Sequence, residues 1–258
     1  MIPAMMPRVS IHLLPNTVQP DRLDGSVAVM IDVLRASTTL IHALDAGCRC
    51  IKPCRDIETA RQLAHQPLPD ADPPTQAPLL AGERDGVRID GFDLGNSPAH
   101  FTPNAVSGRT IVFTTTNGTV ALDSCRNAEL VLVAAFNNTR AILQTLAHKR
   151  LDVHLVCAGT NGQVTAEDCL CAGAIGLALQ ELGYFDTLSC DATRIAIGLY
   201  QQVENDPARL LNEIRESHGG RNLRQLGFDH DISLAARRDT VDLVPTFDSH
   251  NNTISVLA

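Results

Sequence analysis

One feature limits the possible folds more than any other: short apolar runs rich in β-branched residues alternate with stretches of helical spacing. "SVAVMIDV" (Ser26 to Val33) reads as a buried strand, and "ASTTLIHALDAG" as a helix closed by Gly47. "CRCIKPC" is a short strand, and "DIETARQLAHQ" a helix capped by Asp56. Further on, "LLAG", "RTIVFTTT", "ELVLVAAF" and "LDVHLVCAG" are strands, while "GTVALDSC", "NTRAILQTLAHK" and "AEDCLCAGAIGLALQELG" are helices. This βαβα order predicts an α/β fold whose mostly parallel sheet is covered by helices on both faces. Two stretches break the rhythm. "PLPDADPPTQAP" (Pro67 to Pro78) is a surface loop with five prolines in twelve residues, and "ERDGVRIDGFDLGNSP" is a long glycine-rich loop. From about Asp191 to Arg238 the pattern turns helical, and "DLVP" and "TISV" then read as added edge strands. Residues 1–258 are read as one domain.

Charge and cysteine spacing remove several function classes. The net charge is −8, which argues against a nucleic-acid partner, since phosphates demand a basic surface. An acidic protein can still hold a small anion if arginines, backbone N–H groups or a metal gather locally. The opening "MIPAMMPRVS" has no signal-peptide layout, and no stretch approaches a membrane span, so the expectation is a soluble, cytoplasmic protein. Eight cysteines are present, but no Cys-x-x-Cys pair has a second pair downstream. They read as small buried hydrophobes.

In open α/β sheets, ligands bind beyond the carboxyl ends of the strands. The first strand is followed by Asp32 and Arg35, and "LLAG" by Glu83, Arg84, Arg88, Asp93, Asn96 and Ser97. "TIVF" runs into Thr114, Thr115, Thr116, Asn117 and Gly118. "VHLVCAG" runs into Thr160, Asn161 and Gly162, then Glu167 and Asp168 at a helix start. Each group has a plain structural use: Asp32 as a helix cap, Glu167 and Asp168 as dipole partners, Thr-Asn-Gly as a turn. Together, four carboxylate positions and two hydroxyl-rich loops on one rim fit phosphate chemistry. Carboxylate oxygens suit Mg²⁺, helix N-termini accept phosphate, and an arginine adds a planar clamp. No P-loop and no Gly-x-Gly-x-x-Gly after a strand occurs. "IDVLRASTT" is similar to the strand-end aspartate of haloacid-dehalogenase-type phosphatases, but the second aspartate expected two residues on is Leu34.

Taken in order, "IDVLRASTT", "AGERDG", "GFDLGNSP", "TTTNGT", "CAGTNG" with "EDCLCAGA", and the tail "SHGGRNLRQLGFDHDI" resemble the 2-phosphosulfolactate phosphatase family of the coenzyme M route. The resemblance runs from about Ser26 to Pro245. It implies a three-layer α/β/α fold with a helical C-terminal segment. It also implies Mg²⁺ dependence, a homodimer, and hydrolysis of a small anionic substrate, 2-phospho-3-sulfolactate, to 3-sulfolactate and phosphate. On this reading Asp32, Arg35, Glu83 and Asp168 are catalytic, and Asp32, Glu83 and Asp168, with Asp93 and Glu167, hold Mg²⁺. Arg35, Thr115, Thr116, Asn117 and Gly118 hold the phosphoryl group, and Arg84 or Arg88 takes the sulfonate or carboxylate. Asn96, Ser97, Thr160 and Asn161 complete the substrate wall. Attack comes from a metal-bound water or from Asp32 itself. Two alternatives stay open: a phosphatase of another small phosphorylated acid or sugar, and a non-catalytic small-anion binder. The two Thr-Asn-Gly loops further predict two similar strand–loop–helix halves around one site. The glycine pair of "SHGGR" reads first as a helix C-cap.

Overall fold

The computed structural model describes residues 6–65 and 77–257. Most of the proline-rich stretch from Pro67 therefore lies outside the described residues. The expected α/β architecture is present: a ten-stranded, mostly parallel sheet in a three-layer α/β/α arrangement. The strands are β1 (Val9–His12), β2 (Val27–Ile31), β3 (Cys50–Pro53), β4 (Leu79–Arg84), β5 (Val87–Arg88), β6 (Thr110–Thr114), β7 (Leu130–Ala134), β8 (Val153–Cys157), β9 (Pro245–Asp248) and β10 (Thr253–Val256). The helices are α1 (Ala36–Asp45), α2 (Ile57–His65), α3 (Pro103–Val106), α4 (Gly118–Ser124), α5 (Thr139–Lys149), α6 (Ala166–Glu181), α7 (Asp191–Gln201), α8 (Pro207–Glu216), α9 (His218–Gln225) and α10 (Asp229–Ala235). None is long and apolar enough to cross a membrane among the described residues.

Alternation along the strands sorts their side chains between two cores. Val27, Val29 and Ile31 of β2 pack with Leu132, Leu155 and the inner faces of α5, α6 and α7. Ala28 and Met30 face the other way, onto α1 and α4 with Val133, Ile111 and Phe113. Because both faces are covered, the central strands read as unbroken apolar runs.

Two expectations fail. "DLVP" and "TISV" do not form sheet edges. β9 begins only at Pro245 and pairs antiparallel with β7, while β10 joins β9 to β3, so this hairpin sits in mid-sheet. Its half-exposed pattern looks like an edge, and periodicity carries no information about which strand lies alongside. The long glycine-rich loop also begins as a hairpin. β4 extends through Arg84, and Asp85 (φ 53°) with Gly86 (φ 80°) turns it back into β5. Asp-Gly with both residues at positive φ is a favoured two-residue hairpin turn.

The central hairpin has a geometric consequence. The order is β1-β8-β2-β7-β9-β10-β3-β6-β4-β5. Antiparallel pairings at β7–β9, β9–β10 and β10–β3 leave the parallel block β3–β6–β4 running against the block β1–β8–β2–β7. In a flat sheet β2 and β6 would stand about 24 Å apart, five steps of roughly 4.8 Å. Instead, a Cβ on Gly118, just past β6, would lie 3.0 Å from Asp32 Oδ2, just past β2. Twist of roughly 20–25° per step turns the strand direction by about 100–125° over that span. An opposed pair thus becomes a crossing pair, and both sets of carboxyl ends meet at one corner.

Candidate active site

That corner holds a cavity of about 290 Å³. Asp32, Arg35, Glu83 and Asn96 border it, and so do Thr115, Thr116, Asn117, Thr160 and Asn161. The sheet therefore brings together half of the residues read from the strand ends. Asp32 takes the capping use and still faces the cavity. Its Oδ1 accepts the Ala36 N–H (3.0 Å) at the start of α1, while Oδ2 stays beside Gly118 and Thr115. Burial pushes its carboxyl up to about 7. The Ala36 N–H opposes that rise, Glu83 and Glu167 add to it, and Arg35 opposes it. Gly118 is required by space: a Cβ there would come 2.7 Å from the Ala36 Cβ.

Glu83 braces the site. Oε1 accepts the Thr116 N–H (2.9 Å) and Oε2 the Gly86 N–H (2.8 Å), tying the β4–β5 turn to the β6–α4 loop. Asn117 Oδ1 accepts the Asn161 N–H (3.0 Å) and so joins the two Thr-Asn-Gly loops. Arg35 is buried. It pairs with Asp231 and donates to the Gly86 carbonyl (2.7 Å).

The adjacent carboxylates Glu167 and Asp168 part company. Asp168 accepts the Val33 (2.8 Å) and Gly159 (2.9 Å) N–H groups, pinning the ends of neighbouring strands β2 and β8. Each of its oxygens accepts one backbone N–H, and neither Asp168 nor Glu167 borders the cavity. Burial, then Glu167 and Asp32, hold its carboxyl well above the usual range. Glu167 lies behind Gly219, where a Cβ would fall 2.2 Å from Oε1. Its Oε2 is buried without a partner. Burial raises its carboxyl, against the pull of the Ser217 hydroxyl.

Several predicted residues lie elsewhere. Arg84 points from the opposite side of β4 to Glu83, as alternation demands, and donates to the Glu83 and Arg55 carbonyls and to Thr114 Oγ1. Arg88 is exposed and donates to the Asp93 carbonyl. Asp93 is also exposed, with Oδ2 on the Leu80 N–H (2.8 Å). Ser97 donates to Asp231 behind the wall. The C-cap reading of the glycine pair in "SHGGR" is corrected: Ser217 both ends α8 and N-caps α9, its Oγ accepting the Gly220 N–H (3.1 Å), and Gly219 and Gly220 lie within α9. Sequence reasoning missed Asn222 and Gln225 of α9, which line the cavity, and Asp231 of α10. The tail motifs marked that segment, but nothing local shows that it folds back over the β2 and β4 ends.

All eight cysteines are unpaired. Among the described residues, no group of three or more His, Cys, Asp or Glu side chains is arranged to enclose a metal ion. Mg²⁺ asks for less, because it keeps several waters and takes one or two carboxylates together with substrate phosphate. Asp32 and Glu167, each with an oxygen that no protein group satisfies, fit that smaller demand.

A family model described as 2-phosphosulpholactate phosphatase matches residues 12–250. The chain belongs to that family. A protein of Parasynechococcus marenigrum called "Probable 2-phosphosulfolactate phosphatase" is 40% identical over 90% of this chain and 91% of its own length. Proteins of the same name from Deinococcus radiodurans and Caldicellulosiruptor saccharolyticus are 39% and 37% identical. They cover 93% and 89% of this chain and 92% of their own lengths. Membership in the 2-phosphosulpholactate phosphatase family accords with a site of carboxylates, an arginine and hydroxyl-lined loops on one rim.

Proposed function

We propose that this chain is a Mg²⁺-dependent phosphatase that hydrolyses 2-phosphosulfolactate to sulfolactate and phosphate. The observation that carries the reading is a set of buried polar atoms without partners at the corner: Thr115 Oγ1, Asn96 Oδ1 and Glu167 Oε2. Buried polar groups in folded proteins are satisfied by protein, water, ion or ligand. Asn96 and Thr115 border the cavity with Asp32, and Glu167 stands behind Gly219 of its wall; an anion would take the Thr115 hydroxyl, and a cation or its waters the two acceptor oxygens. Asp32 and Glu167 would hold Mg²⁺, which when bound neutralises charge on the phosphoryl oxygens.

The remaining steps belong to the chain. Arg35 donates to the phosphoryl oxygens, and the Thr115 hydroxyl donates beside it. Glu83 fixes the Thr116 backbone through its N–H. Asn161, Asn222 and Gln225 offer amide donors to the carboxylate and sulfonate of the substrate, the role first given to Arg84 or Arg88. Asp32 Oδ2 either takes a proton from the attacking water as the P–O bond to sulfolactate breaks, or attacks phosphorus itself as sulfolactate leaves, after which water hydrolyses the aspartyl phosphate. Mass spectrometry of acid-quenched enzyme separates the routes, because only direct attack leaves phosphate on Asp32. The decisive experiment is phosphate release from 2-phosphosulfolactate with Mg²⁺ and with EDTA. Release in Mg²⁺ alone supports the reading, and no release in either sinks it. Faster release from another phosphorylated acid or sugar would move the substrate and keep the chemistry.

A further inference from the structure

Resting on the phosphatase reading, we propose that Asp231, in the tail motif "GFDHDI", is a positioning residue that sets the Arg35 guanidinium for phosphoryl transfer. Arg35 Nη1 donates to Asp231 Oδ2 at 2.7 Å, and both side chains are only 3% exposed. The other Asp231 oxygen accepts the Ser97 hydroxyl at 2.7 Å. Arg35 Nη2 donates to the Gly86 carbonyl at 2.7 Å, and the guanidinium carbon lies 4.3 Å from the centre of the Phe228 ring. Two segments distant in sequence thus meet the Arg35 guanidinium, the β4–β5 turn and α10 with its leading Phe228, and the loop carrying Ser97 holds Asp231 from behind.

Packing alone does not account for the pair. A buried ion pair contributes little to stability compared with apolar residues of similar volume. A corner that needed only filling could use leucine and phenylalanine. A guanidinium carries five N–H donors. Two are engaged by Asp231 and Gly86, which leaves three. Arg35 borders the cavity and Asp231 does not. Asp231 therefore acts through Arg35: it holds the plane of the fork before substrate arrives, so that the free donors meet the phosphoryl oxygens without a search through rotamers. An arginine clamp of this kind acts chiefly on the transition state, where charge on the transferring group is greatest. Ser97 holds the holder, which gives this buried hydroxyl a task one step behind the cavity wall.

The test is a double-mutant cycle on the full chain, read by phosphate release from 2-phosphosulfolactate in Mg²⁺. Asp231→Asn keeps the volume but turns an amide N–H toward the guanidinium. We expect kcat to fall about 10- to 100-fold, in line with the cost of roughly 1 Å of misplacement, with KM changed less than about threefold. Asp231→Glu should recover part of the loss. In an Arg35→Met background, assayed at high enzyme concentration, Asp231→Asn should cost nothing further, because its effect passes through Arg35. Circular dichroism and melting curves check each fold. If Asp231→Asn does not fold, Ser97→Ala replaces it in the same cycle, with a smaller loss of the same kind. Wild-type kcat in a folded Asp231→Asn protein would overturn the inference, and so would an equal loss with and without Arg35. A wild-type chain that releases no phosphate from any phosphorylated acid or sugar would instead overturn the reading on which the inference rests.

Discussion

The two Thr-Asn-Gly loops carry the same three residues after the same kind of strand, yet they do different work. The β6–α4 loop opens toward the Asp32 carboxylate. Its Thr115 hydroxyl is buried and unpartnered, and its glycine lets α4 approach within contact of Asp32. The β8–α6 loop closes on itself: Thr160 and Gln163 exchange backbone hydrogen bonds at 3.0 Å around Asn161 (φ 50°) and Gly162 (φ 73°). It is a tight turn whose Asn161 N–H props the first loop. The difference lies in the residues that flank each tripeptide. An extra threonine and a helix start beside Asp32 make one loop a wall of the site. A completed turn, then a stretch leading to Glu167 and Asp168, makes the other chiefly a strut and a source of carboxylates, with Thr160 and Asn161 at the cavity border. Identical tripeptides are thus assigned by their surroundings.

The contrast can be broken in several ways. The largest effect should come from the carboxylate beyond the second loop. Asp168→Ala leaves two buried N–H groups unpaired, at a cost of about 2–6 kcal/mol, roughly 1–3 for each. Urea unfolding measures it, and an unchanged midpoint would show that Asp168 is no brace. Next, Gly118→Ala should lower kcat/KM by about a hundredfold by displacing Asp32 or α4. The matching Gly162→Ala should leave kinetics alone and lose about 1–2 kcal/mol of stability, because an L-residue is strained at that positive φ. Equal kinetic damage from both would erase the distinction between wall and strut.

Thr115→Val should raise KM or lower kcat by roughly tenfold, the value of one hydrogen bond to a charged oxygen. Thr160→Val should do neither, which steady-state assays on the two variants would decide. A separate effect, on stability and not on turnover, is that of pH. Asp32 is raised to about 7, and Glu167 and Asp168 are raised as well. Groups with raised folded pKa stabilise the fold when protonated. That stability is complete below the ordinary carboxylate range and is lost as pH rises through about 7. In EDTA, the melting temperature should therefore fall between about pH 5 and 8. Asp32→Asn should flatten the fall, and Mg²⁺ should offset it most at the alkaline end. A melting temperature that climbs across that window in EDTA would contradict the assignment.

Much of the molecule was readable from local pattern. Val27–Ile31 is a strand because its residues are β-branched or apolar throughout, and α2 starts where Asp56 caps it, accepting the Thr59 N–H at 2.7 Å. Asp32, Glu83 and Thr115 could be nominated because carboxyl ends of parallel strands are where such sheets bind ligands. Other roles were invisible. The sequence does not show that Asp168 also accepts the Val33 and Gly159 N–H groups, nor that β4 runs on into a hairpin that leaves Arg84 and Arg88 outside the cavity lining.

The division has a physical cause. Strand and helix identity, turn glycines and strand-end polar residues depend on neighbours within a few positions, so the chain states them directly. Strand order, the reversal of one parallel block against the other, and the corner where their ends cross depend on pairings between segments more than a hundred residues apart. Only the assembled sheet places β9 and β10 at its centre, with α9 across the opening and α10 behind Arg35. Only there does Asp231 reach Arg35, 196 residues away along the chain.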